Sequence, residues 1–182
     1  MAAAKANPGA LNFASAGLGS ASHWAGERLR LAAGINVQHI PFRGPVDAFT
    51  EVMTGRVDFY YLPIAPALPN IRDGKVVALA VSTSKRAPTL PNVPTVVEAG
   101  YPDAQYLFWG GLALPAKTPR AIVDRLHAET QKALAVPAVQ ERLAAFGVEP
   151  MPMTVDEFGK FYRDDVAAIV KLAKDVNLVP TN

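Results

Sequence analysis

The chain contains no cysteine. No disulfide framework, thiolate metal centre or nucleophilic thiol can be built from it, and the want of thiols fits an oxidising compartment and a reducing one alike. Histidine is scarce as well: His23, His39 and His127 stand at no spacing that gathers metal ligands. No stretch approaches the roughly 18 consecutive apolar residues that read as a membrane span. No run of Lys or Arg forms a basic stripe, and a formal net charge of +2 is too mild to argue for nucleic acid as a partner. Met1 to Pro8 is short and alanine-rich, without the basic region and apolar core of a secretory leader.

What is present is globular composition. Of the 182 residues, 50% are hydrophobic and 19% charged, enough for one ordinary domain or two small lobes with a real core. Short β-type runs alternate with helical stretches, which predicts an α/β fold. Leu11–Ala14 reads as a strand. Ala21 to Ala33 reads as a helix with Trp24, Ala25, Leu29 and Ala32 at helical spacing and Gly34 as its stop. Val37–Pro41 is a second strand, and Pro45 suits the first turn of a helix running to Met53. Val57–Leu62 is a third strand and Ala65 to Arg72 a short helix. Val76–Ser82 is so continuously apolar that it predicts a fourth strand buried on both faces.

Residues 85–105 differ. Pro88, Pro91, Pro94 and Pro102 with Gly100 mark a connector with at most one helical turn near Val96–Ala99. Beyond it, Tyr106–Leu114 reads as an aromatic-rich strand. Pro119 to Leu134 reads as an amphipathic helix and Pro137 to Phe146 as another. Thr154 and Glu157 have the spacing of a capping box opening a helix to about Val176. The expected organisation is a remnant of a preceding helix at 1–7, an α/β lobe at 8–84, the connector at 85–105, and a second portion at 106–182. One strand with three helical pieces cannot make its own sheet. Its partner strands are therefore expected upstream or from another chain, and a homo-oligomer through this incomplete lobe is one way to supply them.

Chemistry has few places to sit. Ser15-Ala-Gly-Leu-Gly-Ser20 lies between a strand and a helix, where glycines permit close backbone approach and a helix N-terminus offers unpaired amides to an anion. It lacks the third spaced glycine of a nucleotide fingerprint, and a plain turn with Ser20 or Ser22 as helix cap explains it equally well. Phe42-Arg43-Gly44 is a second strand-to-helix turn. Ligands in doubly wound sheets sit outside the strand carboxyl ends, so both loops are expected to face one crevice. There Arg43 can fork onto a carboxylate; a solvated turn arginine is the bland alternative. His23, one turn into its helix, can donate to an anion or simply pack. Ser20 with His23 invites a hydrolase reading, but no nucleophile elbow surrounds the serine. Asp47 and Asp58 can take a ligand amine, although Asp58 at a turn-to-strand junction suits a structural role. Tyr106, Phe108 and Trp109 read as core, or alternatively as crevice lining. Nothing calls for a cofactor.

The ordered set of motifs is more specific than any single one. Phe13-Ala-Ser-Ala-Gly-Leu-Gly-Ser20 with His23, His39-Ile-Pro-Phe-Arg-Gly44, Gly55-Arg-Val-Asp58, Gly74-Lys-Val-Val-Ala-Leu-Ala-Val81, Lys85-Arg86, Leu90-Pro-Asn-Val-Pro-Thr95, Glu98-Ala-Gly100, Pro115-Ala-Lys-Thr-Pro119 and Gly147-Val-Glu-Pro150 follow one another. This series resembles the Bug-type solute receptors of tripartite tricarboxylate transporters over essentially the whole chain. The resemblance implies a type II periplasmic-binding-protein fold: one doubly wound lobe here, plus the C-terminal part of another. It implies a non-catalytic periplasmic receptor that closes on a small carboxylate, commonly a di- or tricarboxylate, and delivers it to membrane permease subunits. Family members are longer, so a signal peptide and a first-lobe segment are expected to be missing. Carried over by position, the ligand contacts implied are Ser15, Gly17, Gly19, Ser20, His23, Arg43 and Gly44. Two departures stand out: many members have Lys where Arg43 stands, and Asp-Asn where this chain has Leu62-Pro63. The rivals are a ligand-sensing regulatory domain of the same two-lobe type and a small α/β enzyme. The first lacks a helix-turn-helix, and the second lacks a paired acid and base at one loop edge.

Overall fold

A computed structural model describes residues 1–178; the end of the expected 106–182 portion, 179–182, lies outside the described residues. The chain divides into two compact units, Met1–Phe108 with the segment from Leu172 onward, and Trp109–Lys171. The 85–105 stretch lies wholly inside the first unit.

The first unit holds helix α1 (Ala2–Ala6), strand β1 (Asn12–Ser15), α2 (Ala21–Ala33), β2 (Gln38–Pro41), α3 (Pro45–Met53), β3 (Phe59–Tyr60) and α4 (Ile64–Arg72). The three strands form a parallel sheet in the order β2-β1-β3. Parallel neighbours need crossover connections, and α2 and α3 supply them. Strand β1 is central, and Phe13, Ala14 and Ser15 are fully buried in it. Phe13 anchors a core of Leu29, Ala33, Ile35, Val37, Val96 and Ala104. Ala14 belongs to a second cluster with Ala48 and Val57. Local signals set the helix ends: Ser20 caps α2 by accepting the His23 amide, and Gly34 closes it in the left-handed conformation at φ 59°. Asp58 proves structural, because Asn12 and Asp58 exchange amide-to-side-chain bonds of 2.8 and 3.1 Å across the start of β1 and β3.

Two strand expectations fail. Residues 77–80 join no sheet, Val76 sits in a bend with its amide on the Asn70 carbonyl at 3.4 Å, and Val81 makes only an isolated parallel bridge to Thr95. The run is not buried on both faces: Val77 is 79% and Leu79 71% exposed, while Val76, Ala78 and Ala80 turn inward. An apolar run says what a strand would bury, not that a second layer exists to cover it. Tyr106–Leu114 likewise forms no strand among the described residues. Tyr106 donates its amide to the Ser82 carbonyl at 3.0 Å, but a strand requires a ladder of such bonds and that contact does not extend into one.

The second unit contains α5 (Arg120–Leu134), α6 (Pro137–Ala145) and most of α7 (Val155–Asp175). The capping box forms as expected: Glu157 accepts the Thr154 amide at 2.8 Å, and Thr154 Oγ1 accepts the Glu157 amide at 3.2 Å. Trp109 packs edge-on against Phe158, Phe161 and Tyr162 and donates its indole N–H to Asp165 at 3.1 Å. No residue of α5 or α6 is buried, and Ile122, Val136, Phe146 and Val148 are exposed.

Candidate functional site

The strand order β2-β1-β3 places a topological switch point between β1 and β3, because the chain leaves β1 toward β2 and then returns past it to β3. Crevices in open α/β sheets open at such points, beyond the strand carboxyl ends. A cavity of about 170 Å³ lies there, lined by Ala16, Ser20, Ala21, Ser22, Pro45, Tyr60, Tyr61, Pro63 and Phe108. Three of those residues begin helices: Ser20 is the N-cap of α2, Pro45 the first residue of α3, and Pro63 the N-cap of α4. Three helix N-termini thus converge on one hollow with their positive dipole ends, the His23 amide of α2 being already held by Ser20 and Pro45 and Pro63 having no N–H. The lining carries hydroxyls and aromatic faces, and none of its side chains is a carboxylate or a cation.

The loop between β1 and α2 is held from inside. Ser15, fully buried, accepts the Gly17 amide and lies 3.1 Å from the Gly17 carbonyl. Its hydroxyl also meets Nε2 of His39 at 2.6 Å. Ser22 accepts the Ala16 amide at 3.0 Å and shares a hydrogen with Ser20 at 3.1 Å. His23 is fully buried, and its Nδ1 accepts the Gly19 amide at 3.1 Å. Burial pushes the His23 imidazole pKa down, partly offset by Glu27. Burial, with a smaller contribution from His23, lowers His39 to about 4. Burial raises Tyr60 against a Ser22 hydrogen bond, and raises Tyr61 to about 12, so both phenols are protonated at neutral pH.

Of the residues singled out in the sequence, Ser20 is on the cavity wall. Gly17 and Gly19 form the loop behind it, both at positive φ, 123° and 74°. A Cβ on Gly17 would lie 3.3 Å from the Phe42 carbonyl, and the Phe42 amide bonds to the Ser15 carbonyl at 3.0 Å, so the two expected loops do adjoin. Arg43 is exposed beside them. Gly44 caps α3 in an extended conformation that any residue adopts. Ser15 and His23 lie beneath the loop, not on the cavity wall. Sequence reasoning did not pick out Tyr60 and Tyr61, although their place at the end of β3 is a usable signal. Ser22 entered only as an alternative cap, whereas it ties Ala16 into the wall. Phe108 lines the cavity, the alternative considered to core packing.

Residues 1–178 match the tripartite tricarboxylate transporter family receptor. The chain belongs to that receptor family. It is 37% identical over 177 residues to a UPF0065 protein of Pseudomonas sp. strain P51, covering 97% of this chain and 53% of that one. It is 33% identical over 166 residues to BugT of Bordetella pertussis, covering 91% and 51%. Among solved structures, MatC from Rhodopseudomonas palustris with bound malate superposes with a TM-score of 0.83 at 31% identity, over 94% of this chain and 59% of that one. An R. palustris protein solved with adipate gives 0.84 at 27%, over 99% and 60%. The periplasmic binding protein BugD gives 0.80 at 31%, over 96% and 59%. The fold is therefore that of the periplasmic receptors, and the family is one of solute-binding proteins. The chain spans about half the length of these curated relatives.

Proposed function

We propose that this chain is part of a periplasmic solute-binding protein that captures a small carboxylate, a di- or tricarboxylate, for the membrane permease subunits of a tripartite tricarboxylate-type transporter. The observation that carries the reading is the convergence of three helix N-termini and the Ser20 and Ser22 hydroxyls on one cavity at the β1/β3 switch point. Backbone amides and hydroxyls are the groups that hold an anion without a balancing cation. Relatives of the same fold solved with adipate and malate support a carboxylate as that anion. In this reading Ser20 and the 15–20 loop receive the carboxylate, Gly17 and Gly19 let it approach the backbone, and Arg43 and Gly44 flank it from the adjoining turn. Ser15 and His23 act from beneath. In the same reading the 8–84 portion is the second lobe of the receptor, and the 106–182 portion is the C-terminal part of its first lobe. In this reading the receptor binds and releases its ligand without chemistry, as the family of solute-binding receptors supports.

Calorimetric titration with succinate, malate, adipate and citrate tests the proposal, with chloride as the control anion. The expected result is saturable binding of at least one of them, abolished or weakened by Ser20→Ala, with the carboxylate recovered unchanged. No binding of any of the four, or conversion of the bound acid, overturns it.

A further inference from the structure

The two buried imidazoles have no role in the cavity itself. His23 and His39 stack with centroids 4.0 Å apart and planes 15° from parallel. Each is tied to the anion loop by one bond, His23 Nδ1 from the Gly19 amide and His39 Nε2 to Ser15 Oγ. To accept from Gly19, His23 must be neutral with its proton on Nε2. That Nε2 has no hydrogen-bond partner, and the nearest carboxylate oxygen, Oε1 of Glu27, is 4.0 Å away. A fully buried N–H without an acceptor is a costly arrangement, and the fold keeps it.

We propose that the stacked pair His23 and His39 positions the 15–20 loop for its anion only while both rings are neutral, and that protonation releases the loop before the lobe unfolds. A proton added to His23 must go to Nδ1, where it confronts the Gly19 N–H at 3.1 Å, donor against donor. The loop then loses its anchor on α2. A second proton on His39 would place two cations 4.0 Å apart in the core, so the two rings cannot both be charged as packed. The Ser15 hydroxyl carries one hydrogen, and with Gly17 and His39 both in reach it serves one of them at a time. The charged and titratable groups around the pair are few. Helix α2 contributes Glu27, whose Oε2 is held by Arg30 at 2.7 Å while its Oε1 stands 4.0 Å from His23 Nε2. Strand β1 contributes only Ser15, and the core packed behind Phe13 brings the phenols of Tyr61 and Tyr101. The turn Pro102–Ala104, packed on α2, carries Asp103, which is exposed. Glu27 offsets a charge on His23 only in part: at 4.0 Å it is beyond hydrogen-bond reach, and burial outweighs it. Burial in such surroundings lowers both pKa values.

That the released loop is the anion-receiving one rests on the function proposed above, but the test needs no ligand. The Gly19 amide and the imidazole resonances are followed by NMR on the whole chain from about pH 7.5 to 4, with hydrogen exchange at Gly19 and at Ala14 of the central strand. The expected result is a Gly19 shift that tracks the imidazoles, with at least a tenfold loss of Gly19 protection while Ala14 stays protected. His23→Gln should raise the midpoint of His39 by removing its neighbouring charge, and, because the new amide oxygen can still accept from Gly19, should leave Gly19 insensitive to pH. A Gly19 amide unmoved while the rings titrate overturns the proposal. So do rings that titrate independently at the ordinary histidine value, or loss of Gly19 and Ala14 protection together in one global unfolding step. Absence of carboxylate binding at every pH would instead count against the function and leave these outcomes readable.

Discussion

Gly19 donates its amide to Nδ1 of His23 at 3.1 Å, so the glycine loop and the helix that follows it are joined through an imidazole that must be uncharged. The thermodynamic sign follows from the lowered pKa of both histidines. Above about pH 6.5 neither the folded nor the unfolded chain protonates them, and they cost nothing. As pH falls below that value the unfolded chain takes up protons first, and stability drops until His39 titrates in the folded state at about 4.

Urea unfolding at about pH 7.5 and about pH 4.5 should therefore show a lower midpoint at the acid value. The histidine share is on the order of 2 kcal/mol after allowance for solvent screening. His39→Gln should flatten the profile. An equal acid loss in wild type and variant would assign the effect to carboxylates elsewhere.

Ser20 and Ser22 are two residues apart and should fail differently. Ser20→Ala removes the N-cap of α2, a loss of about 1 kcal/mol, and one hydroxyl from the cavity, about tenfold in carboxylate affinity. Ser22, 4% exposed, accepts the Ala16 amide. Ser22→Ala leaves that amide without its acceptor, a cost of about 1–3 kcal/mol, and releases the hydrogen bond to Tyr60. Chemical denaturation should rank Ser22→Ala as the more destabilising of the two.

Asp58 offers a cleaner separation of charge from geometry. Its Oδ2 accepts the Asn12 amide and its own amide donates to Asn12 Oδ1. Asp58→Asn keeps an oxygen acceptor there and should be nearly neutral to folding, whereas Asp58→Ala should cost about 1 kcal/mol. Large losses of ligand affinity in Asp58→Asn with unchanged stability would return this carboxylate to the binding site.

What could be read from the sequence divides along one physical line. Features written in neighbouring residues were legible. The span of α2 follows from Ser20, its apolar spacing and Gly34, and the start of α7 from Thr154 and Glu157. The adjacency of the two glycine-bearing loops was legible because both follow strands, and parallel strands end on one edge. Features that depend on a partner were not. Val76–Ser82 and Tyr106–Leu114 have strand-like composition, but a strand is a relation between two segments, and no local pattern reports whether the second is there. The inward turn of His23 depends on how α2 is rotated against β2, where His39 waits to stack, and nothing within α2 reveals it.

The glycines of the first unit make the final prediction, because two of them resist substitution for opposite reasons. A Cβ on Gly26 would fall 2.2, 2.5 and 2.9 Å from three carbons of the Phe13 ring. That ring is fully buried and stacked between His39 and Phe59, at 4.9 and 5.7 Å, so it cannot swing aside. Gly26→Ala should cost about 1–3 kcal/mol or more through overpacking, despite the gain of about 1 kcal/mol in helix propensity. Gly19 has nothing within 4 Å of its would-be Cβ, but its φ is 74°. Gly19→Ala should cost about 1–2 kcal/mol from backbone strain alone, and Gly19→Asn less, because asparagine enters the left-handed region more readily. The variants therefore separate on rescue: enlarging the space by Phe13→Leu should partly restore Gly26→Ala and do nothing for Gly19→Ala. Urea midpoints of the single and double variants decide the matter, and equal rescue of both would mean that the two glycines are constrained by the same packing.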